Sequence, residues 1–429
     1  MTAPLPRRTL LTAGSAGTAA ALAALAPTAS AQGRSGEAPA RPGGPPARTA
    51  RFTLQAQVLD GGQQVTSVVI DAGRRGGLIP GELSPEAFSV HATGTNPVTG
   101  TVAFDVDRTV TAARADHSGR ISLDLEHGPD VEGAGTLEYL DDASRNVLLE
   151  LEYTLTQNAP LPAHGNGHGS IDEFVQDGLV DAEVDAFSSH VAASGTNYRL
   201  FTPHGHGSAR ELSLVVWLHG GGEGGLFDGE IEYYDNETHL RANRGALAFA
   251  TDEAQEIFGG AIVVAPQCTS AWMDDGPAFE PLIDEIIEEV AADHPVDRDR
   301  VHVIGCSNGG YMSLKMVVEN PGAFASTVPI CGVVQARGDS PGRLVTDDEL
   351  AAIDTPTWLI AAADDTTVDP QANTVHAHGL IPDSIMSLYD DVTWEGESYP
   401  GHFSWIYAAR NDPSHQGTHL WEWMAAQRR

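Results

Sequence analysis

Positive charge is scarce in this chain. Against 59 Asp and Glu it has 24 basic residues, of which Lys315 is the one lysine, and the formal charge is −35 over 429 residues. A surface of that sign repels phosphate backbones and anionic lipid headgroups, so nucleic-acid and peripheral-membrane functions are disfavoured, while neutral or cationic partners stay open. Cysteine is scarce too. Cys268, Cys306 and Cys331 allow at most one intramolecular disulfide, which excludes a disulfide scaffold and a four-cysteine zinc site. All three fall at the ends of predicted strands, where one disulfide and three buried thiols are equally compatible with the pattern. Past residue 31 no apolar run reaches the roughly 18 residues that a membrane helix needs.

What is present reads as a globular chain, with 41% hydrophobic and 19% charged residues and a length suited to two or three domains. The first 31 residues combine Arg7 and Arg8, an Ala/Leu-rich stretch from Leu10 to Ala26, and Ala29-Ser30-Ala31 before Gln32. That is the layout of a secretory signal peptide, and the arginine pair followed by Thr9-Leu10-Leu11 points to the Tat route, with a plain Sec signal as the alternative. The mature protein is therefore expected to be soluble and secreted. Losing Arg7 and Arg8 makes it more acidic still.

Residues 32–50, rich in Pro, Gly and Ala, read as a linker. Period-two alternation follows in Phe52, Leu54, Ala56 and Val58, in Val102, Phe104 and Val106, in Ile121, Leu123 and Leu125, and from Val147 to Leu155. Short spacing and turn-like separators predict a small all-β, immunoglobulin-like sandwich over 51–160 without an inter-sheet disulfide. Pro160–Ser170 is a second break. His164 and His168 there, with His204 and His206 further on, have no acidic or cysteine ligand fixed beside them and read as loop rather than metal site.

Over 171–429 short apolar runs replace alternation: Leu212–Leu218, Ile262–Ala265, Val301–Ile304 and Thr357–Ala361. Between the second and third lies Phe279–Ala292, with Leu282, Ile283, Ile286, Ile287 and Val290 on one face and Asp284, Glu285, Glu288 and Glu289 on the other. Continuous strands with crossover helices predict an α/β domain with a mostly parallel sheet.

The strongest local signal is Gly305-Cys306-Ser307-Asn308-Gly309-Gly310, between the strand VHVI and the helical segment YMSLKMVVEN. A serine at a sharp strand-to-helix turn needs small residues two positions to either side, and the helix that follows aims its first amides at a developing oxyanion. Ser307 is thus the candidate nucleophile and Asn308 a candidate oxyanion donor. Upstream, Leu212–Leu218 runs into His219-Gly220-Gly221-Gly222-Glu223-Gly224-Gly225, where Gly221, or alternatively Gly222, can supply a second amide. No G-K-[ST] follows, so this is not a P-loop. For the acid, Asp365 fits an Asp-x-x-Val turn ending the strand PTWLIAAA, with Asp364 as the alternative. Five histidines follow it. His376 and His378 come too soon and His415 and His419 lie in the tail, whereas His402 in YPGHFSW follows a strand-like run through a glycine, where a loop can bring an imidazole over the serine.

The strings LHGGGEGG, VVAPQC with Trp272 shortly after, VDRDRVHVIGCSNGGYMS and GHFSW resemble secreted bacterial carboxylesterases that join an immunoglobulin-like domain to an α/β-hydrolase domain, a group similar to polyhydroxybutyrate depolymerases and feruloyl esterases and also to predicted peptidases, although no pocket charged for a particular side chain is legible here. The motif resemblance covers about 200–429. It implies Ser307 as nucleophile, His402 as base, Asp365 as its partner, Gly221 and Asn308 in the oxyanion hole, and Trp272 as a wall of the substrate pocket. It also implies a small or polymeric ester as substrate, with no metal and no organic cofactor.

Overall fold

The computed structural model describes residues 48–73, 77–164, 169–203, 211–229, 231–274, 276–335 and 342–429. The leader expected over 1–31 and nearly all of the linker expected over 32–50 lie outside the described residues, as do His168, His204 and His206.

Alternation builds the first half. In Thr49–Leu59 every second residue, from Ala50 through Val58, is buried, as a strand with one face on a core requires. The strand lies in a six-stranded sheet whose order is Glu173–Val180, Thr49–Leu59, Gly62–Asp71, Arg120–Leu125, Val110–Ala115, Gly81–Leu83. A three-stranded sheet of Glu150–Gln157, Phe88–Thr95 and Val102–Arg108 shares its core, which includes Phe52, Leu54, Ile121, Leu123, Val90 and Tyr153. Glu173–Val180, on the far side of the break expected at Pro160–Ser170, returns to pair in parallel with Thr49–Leu59. The alternating run from Val147 to Leu155 is divided between two partners: Arg145–Leu148 forms a hairpin with Leu137–Leu140, and Glu150–Gln157 joins the three-stranded sheet.

The second half is an eight-stranded sheet in the order Ser188–Val191, Asn197–Phe201, Ala261–Pro266, Leu212–Leu218, Val296–Cys306, Ser326–Ile330, Trp358–Ala362, Ile385–Tyr389. Its first two pairings are antiparallel and the rest parallel. Leu212–Leu218 is buried at every position, because helices cover both faces of a parallel sheet. Helix Gly276–Asp293 lays Ile283, Ile286, Ile287 and Val290 on one of them. Its acidic side is not wholly solvated: Glu285 and Glu289 accept the amides of Ser194 and Ala193. All three cysteines are buried free thiols.

Polar and apolar contacts join the halves. Val58, at the end of the first strand, packs in the same cluster as Trp217 and Leu240 of the second half. Arg410 reaches Asp60 at 2.8 Å, and Arg244 bonds both the Val58 carbonyl and Glu183. No described helix is long and apolar enough to cross a membrane.

Candidate active site

Strand Val296–Cys306 ends in a turn that few side chains could occupy. Ser307 sits at φ 55°, ψ −112°, a region costly for any residue with a Cβ. Its neighbours give it room. A Cβ at Gly305 would stand 2.5 Å from the Gly309 carbonyl oxygen, and one at Gly309 would stand 2.0 Å from that of Leu218. The Ser307 amide is held by the Ile330 carbonyl at 2.7 Å, and helix Asn308–Glu319 starts at the next residue. This tight turn lifts the Ser307 hydroxyl off the end of the sheet.

Two loops from later strands meet it. His402, in the turn Gly401–Phe403, places Nε2 2.9 Å from Ser307 Oγ. Its Nδ1 lies 2.8 Å from Asp365 Oδ2, so Nδ1 carries the proton given to the carboxylate and Nε2 is left to accept from the serine. Asp365 is 5% exposed, and its Oδ1 accepts the amides of Thr367 and Val368 at 2.7 and 2.8 Å. Those two bonds are why an Asp-x-x-Val turn fixes the carboxylate. The rival Asp364 is exposed and faces Gly401 instead. The other histidine candidates are engaged elsewhere: His376 with Asp347, His378 with Ser384, His419 with the Asn411 carbonyl, and His415 edge-on to Trp358. Burial works against a charge on the His402 ring, but the Cys331 sulfur and the Asp365 carboxylate outweigh it, and the imidazole is held above its ordinary range. Among the described residues, Cys331, Asp365 and His402 are the three ligand-type side chains whose atoms come within 4.8 Å of one another. Two of them are committed to each other by the hydrogen bond just described.

A cavity of about 630 Å³ opens above the serine, lined by Gly221, Gly222, Asn308, His402 and Trp405 of the second half. Gly221 faces Asn308, since a Cβ on it would lie 3.4 Å from Asn308 Nδ2. The Asn308 amide is the first of its helix and has no carbonyl acceptor within it. The Gly-rich loop is anchored from below by His219. This side chain is fully buried, and burial holds it far down, at about 3, so it is neutral: Nδ1 donates to the Gly220 carbonyl at 2.6 Å and Nε2 accepts the Cys268 amide at 2.9 Å.

Trp272 does not line the cavity. It is 1% exposed, its Nε1 donates to the His219 carbonyl at 3.0 Å, and its ring packs on His219 and Phe279. An indole that follows a strand end in the sequence can face the cleft or the core. Here the buried His219 carbonyl needs a donor, which draws the ring underneath the loop.

Comparison with known proteins finds hydrolases. Residues 283–342 match the family model described as the prolyl oligopeptidase family. A protein of Nocardia uniformis subsp. tsuyamanensis designated as an esterase, NocK, is 29% identical over 157 residues, covering 36% of this chain and 43% of its own. One of Aspergillus terreus designated feruloyl esterase C is 30% identical over 146 residues, covering 33% and 48%. The chain thus spans less than half the length of either curated relative. A solved structure titled a thermostable esterase superposes with a TM-score of 0.68 at 25% identity, over 88% of this chain and 99% of that one. The second half has the α/β-hydrolase fold. The two curated relatives and that solved structure are designated esterases, and the family model is one of hydrolases that cleave peptides.

Sequence reasoning missed part of the site. Tyr139, Arg145 and Asn146 of the hairpin Leu137–Leu148 also line the cavity, although they belong to the all-β half. Their signal in the sequence is slight. Arg145 and Asn146 open a strand as two polar residues in an otherwise apolar-periodic run, and nothing local tells that they face a loop some eighty residues on. Glu223, within the Gly-rich loop, is a further residue of the site. It is buried, and burial pushes its carboxyl up to about 7.

Proposed function

We propose that this protein is an exported serine carboxylesterase. The observation that carries the reading is the hydrogen-bonded chain from Ser307 through His402 to Asp365 at the floor of a cavity. In the forward step Ser307 Oγ attacks the ester carbonyl while His402 Nε2 takes its proton. Asp365 holds the imidazole in the tautomer with hydrogen on Nδ1 and stabilises the imidazolium that forms. The carbonyl oxygen, now negative, lies against the amides of Gly221 and Asn308. His402 then protonates the departing alcohol, and a water molecule activated by the same imidazole releases the acid and regenerates Ser307. A cavity of about 630 Å³ has room for a small-molecule ester, one with a short acyl chain included. Export is supported by the twin-arginine leader, the Ala29-Ser30-Ala31 site and the acidic composition, and an immunoglobulin-like character of the first half by its two-sheet β architecture.

The test is hydrolysis of p-nitrophenyl acetate and butyrate by the wild type and by Ser307→Ala, with fluorophosphonate labelling alongside. The variant should lose about a million-fold in kcat, in keeping with loss of a nucleophile in a triad, and should not label. A Ser307→Ala protein that turns over at the wild-type rate sinks the proposal. A second reading, depolymerisation of a polyester or release of feruloyl esters, is favoured by one observation: the hairpin Leu137–Leu148 of the all-β half forms one wall of the cavity, where it can steady an extended chain. Release of soluble products from polyester film, compared with turnover of the small esters, separates the two.

A further inference from the structure

Polyglycine loops do not hold themselves in one shape. Each glycine of the stretch Gly220–Gly225 has wide backbone freedom, and a loop meant to present amides to an oxyanion must be fixed from outside. Peptide planarity gives a way to do so, because gripping one carbonyl sets the direction of the amide that follows in the same plane. His219 Nδ1 grips the Gly220 carbonyl at 2.6 Å and so sets the Gly221 amide. The next plane is gripped by the other half of the molecule. Arg145 Nη1 donates to the Gly221 carbonyl at 2.9 Å, so both peptide planes that flank the Gly221 Cα are held and its amide cannot swing, and its Nε donates to the Gly225 carbonyl at 3.1 Å, so one guanidinium ties both ends of the turn. Nη1 also donates to the Ser144 carbonyl at 3.0 Å. Beside it, Asn146 Nδ2 donates to Glu223 Oε1 at 3.3 Å.

The hairpin that carries these two side chains is itself tied down, since the Leu148 amide donates to Tyr233 Oη at 2.8 Å. We propose that Arg145, supplied by the all-β half, is a positioning residue for the oxyanion hole: it holds the Gly221–Gly225 loop in the shape that presents amides to the tetrahedral intermediate. The inference rests on the esterase reading above. It gives the first half a part in the chemical step and not only in shaping the pocket.

The experiment uses the full chain with Arg145→Ala, Arg145→Lys and Asn146→Ala. Four readouts are taken: kcat and KM on p-nitrophenyl acetate and on the bulkier butyrate, the affinity of a boronic acid that mimics the tetrahedral state, fluorophosphonate labelling, and the melting temperature. Deleting an oxyanion donor outright costs about 10²–10³ in kcat, so a donor that is loosened should cost roughly ten- to a hundredfold. Arg145→Ala is expected to lower kcat by that factor with little change in KM, and to weaken the boronic acid in proportion. Lysine lacks the fork that spans two carbonyls and should restore only part of it. Asn146→Ala should show a smaller loss. An unchanged kcat with KM raised only on bulkier esters overturns the proposal and leaves Arg145 as a wall; so does a fall in kcat without a fall in boronic-acid affinity. Should Arg145→Ala fail to fold, wild-type kcat in both Arg145→Lys and Asn146→Ala overturns it equally. A wild-type protein that neither hydrolyses the ester nor labels sinks the esterase reading itself, whereas a wild type that does both beside an unaffected Arg145→Ala sinks only the clamp.

Discussion

His402 gains its place by hydrogen bonding at both ring nitrogens, and its protonation then sets two properties that move in opposite directions. As a base it works when neutral. Because its folded value is held above the ordinary 6.5, kcat/KM should climb as pH rises through an ionisation above that figure. The charged form is the one the folded state favours, so its contribution to stability is complete below the unfolded value and is lost as pH rises through the folded one. Glu223 adds to the same trend. Its carboxyl shifts from 4.5 to about 7 on burial, so stability falls as pH rises from 4.5 through 7, by at most about 3 kcal/mol for that shift. Melting temperatures recorded from pH 4 to 8 should therefore decline for the wild type and decline less for Glu223→Gln; parallel curves would refute the assignment. Asp365→Asn removes the acceptor that fixes the His402 tautomer, and should reduce kcat by about four orders of magnitude with the fold intact, as read by circular dichroism and initial rates.

The turn around Ser307 is demanding because backbone, not side chain, fills the space at Gly309. Gly309→Ala would press a methyl group against the Leu218 and His219 carbonyls, 2.0 and 2.5 Å away, so the helix must shift. Loss of measurable esterase activity and of soluble expression is expected; a variant of wild-type activity would show the turn to be looser than it is described. This element was legible in the sequence because every requirement on it is local: an apolar strand, small residues at fixed offsets, a helix after. The same holds for Asp365, whose turn bonds reach two and three residues ahead. What escaped was decided at a distance. Trp272 was expected at a pocket wall, but a carbonyl 53 positions earlier in the chain binds its indole. The strand run Val147–Leu155 has an apolar residue at every second position, yet it serves two sheets, since a period of two reports that one face is buried and not against which partner. Arg145 sits 76 and 80 residues from the carbonyls it holds, and no spacing rule reaches so far.

Across the whole molecule, the two halves are joined by Val58 in the second half's core and by charged pairs at its edge. Asp60, with 9% of its side chain exposed, bonds Arg410. Asp60→Ala leaves that guanidinium without its carboxylate and should cost about 1–3 kcal/mol, seen as a drop of several degrees in melting temperature without a change in the number of transitions. A second, earlier transition would mean that the halves unfold separately.

The lone lysine has a consequence for handling the protein. Lys315 is 4% exposed on the helix after Ser307, and its ammonium is paired with Glu319 and Glu349 at 2.8 and 2.9 Å. Succinimidyl esters and aldehydes, which react with free amines, should therefore leave this side chain alone on the folded chain. Peptide mass mapping after brief labelling should show Lys315 untouched until the protein is unfolded, which makes that residue a built-in reporter of the native state.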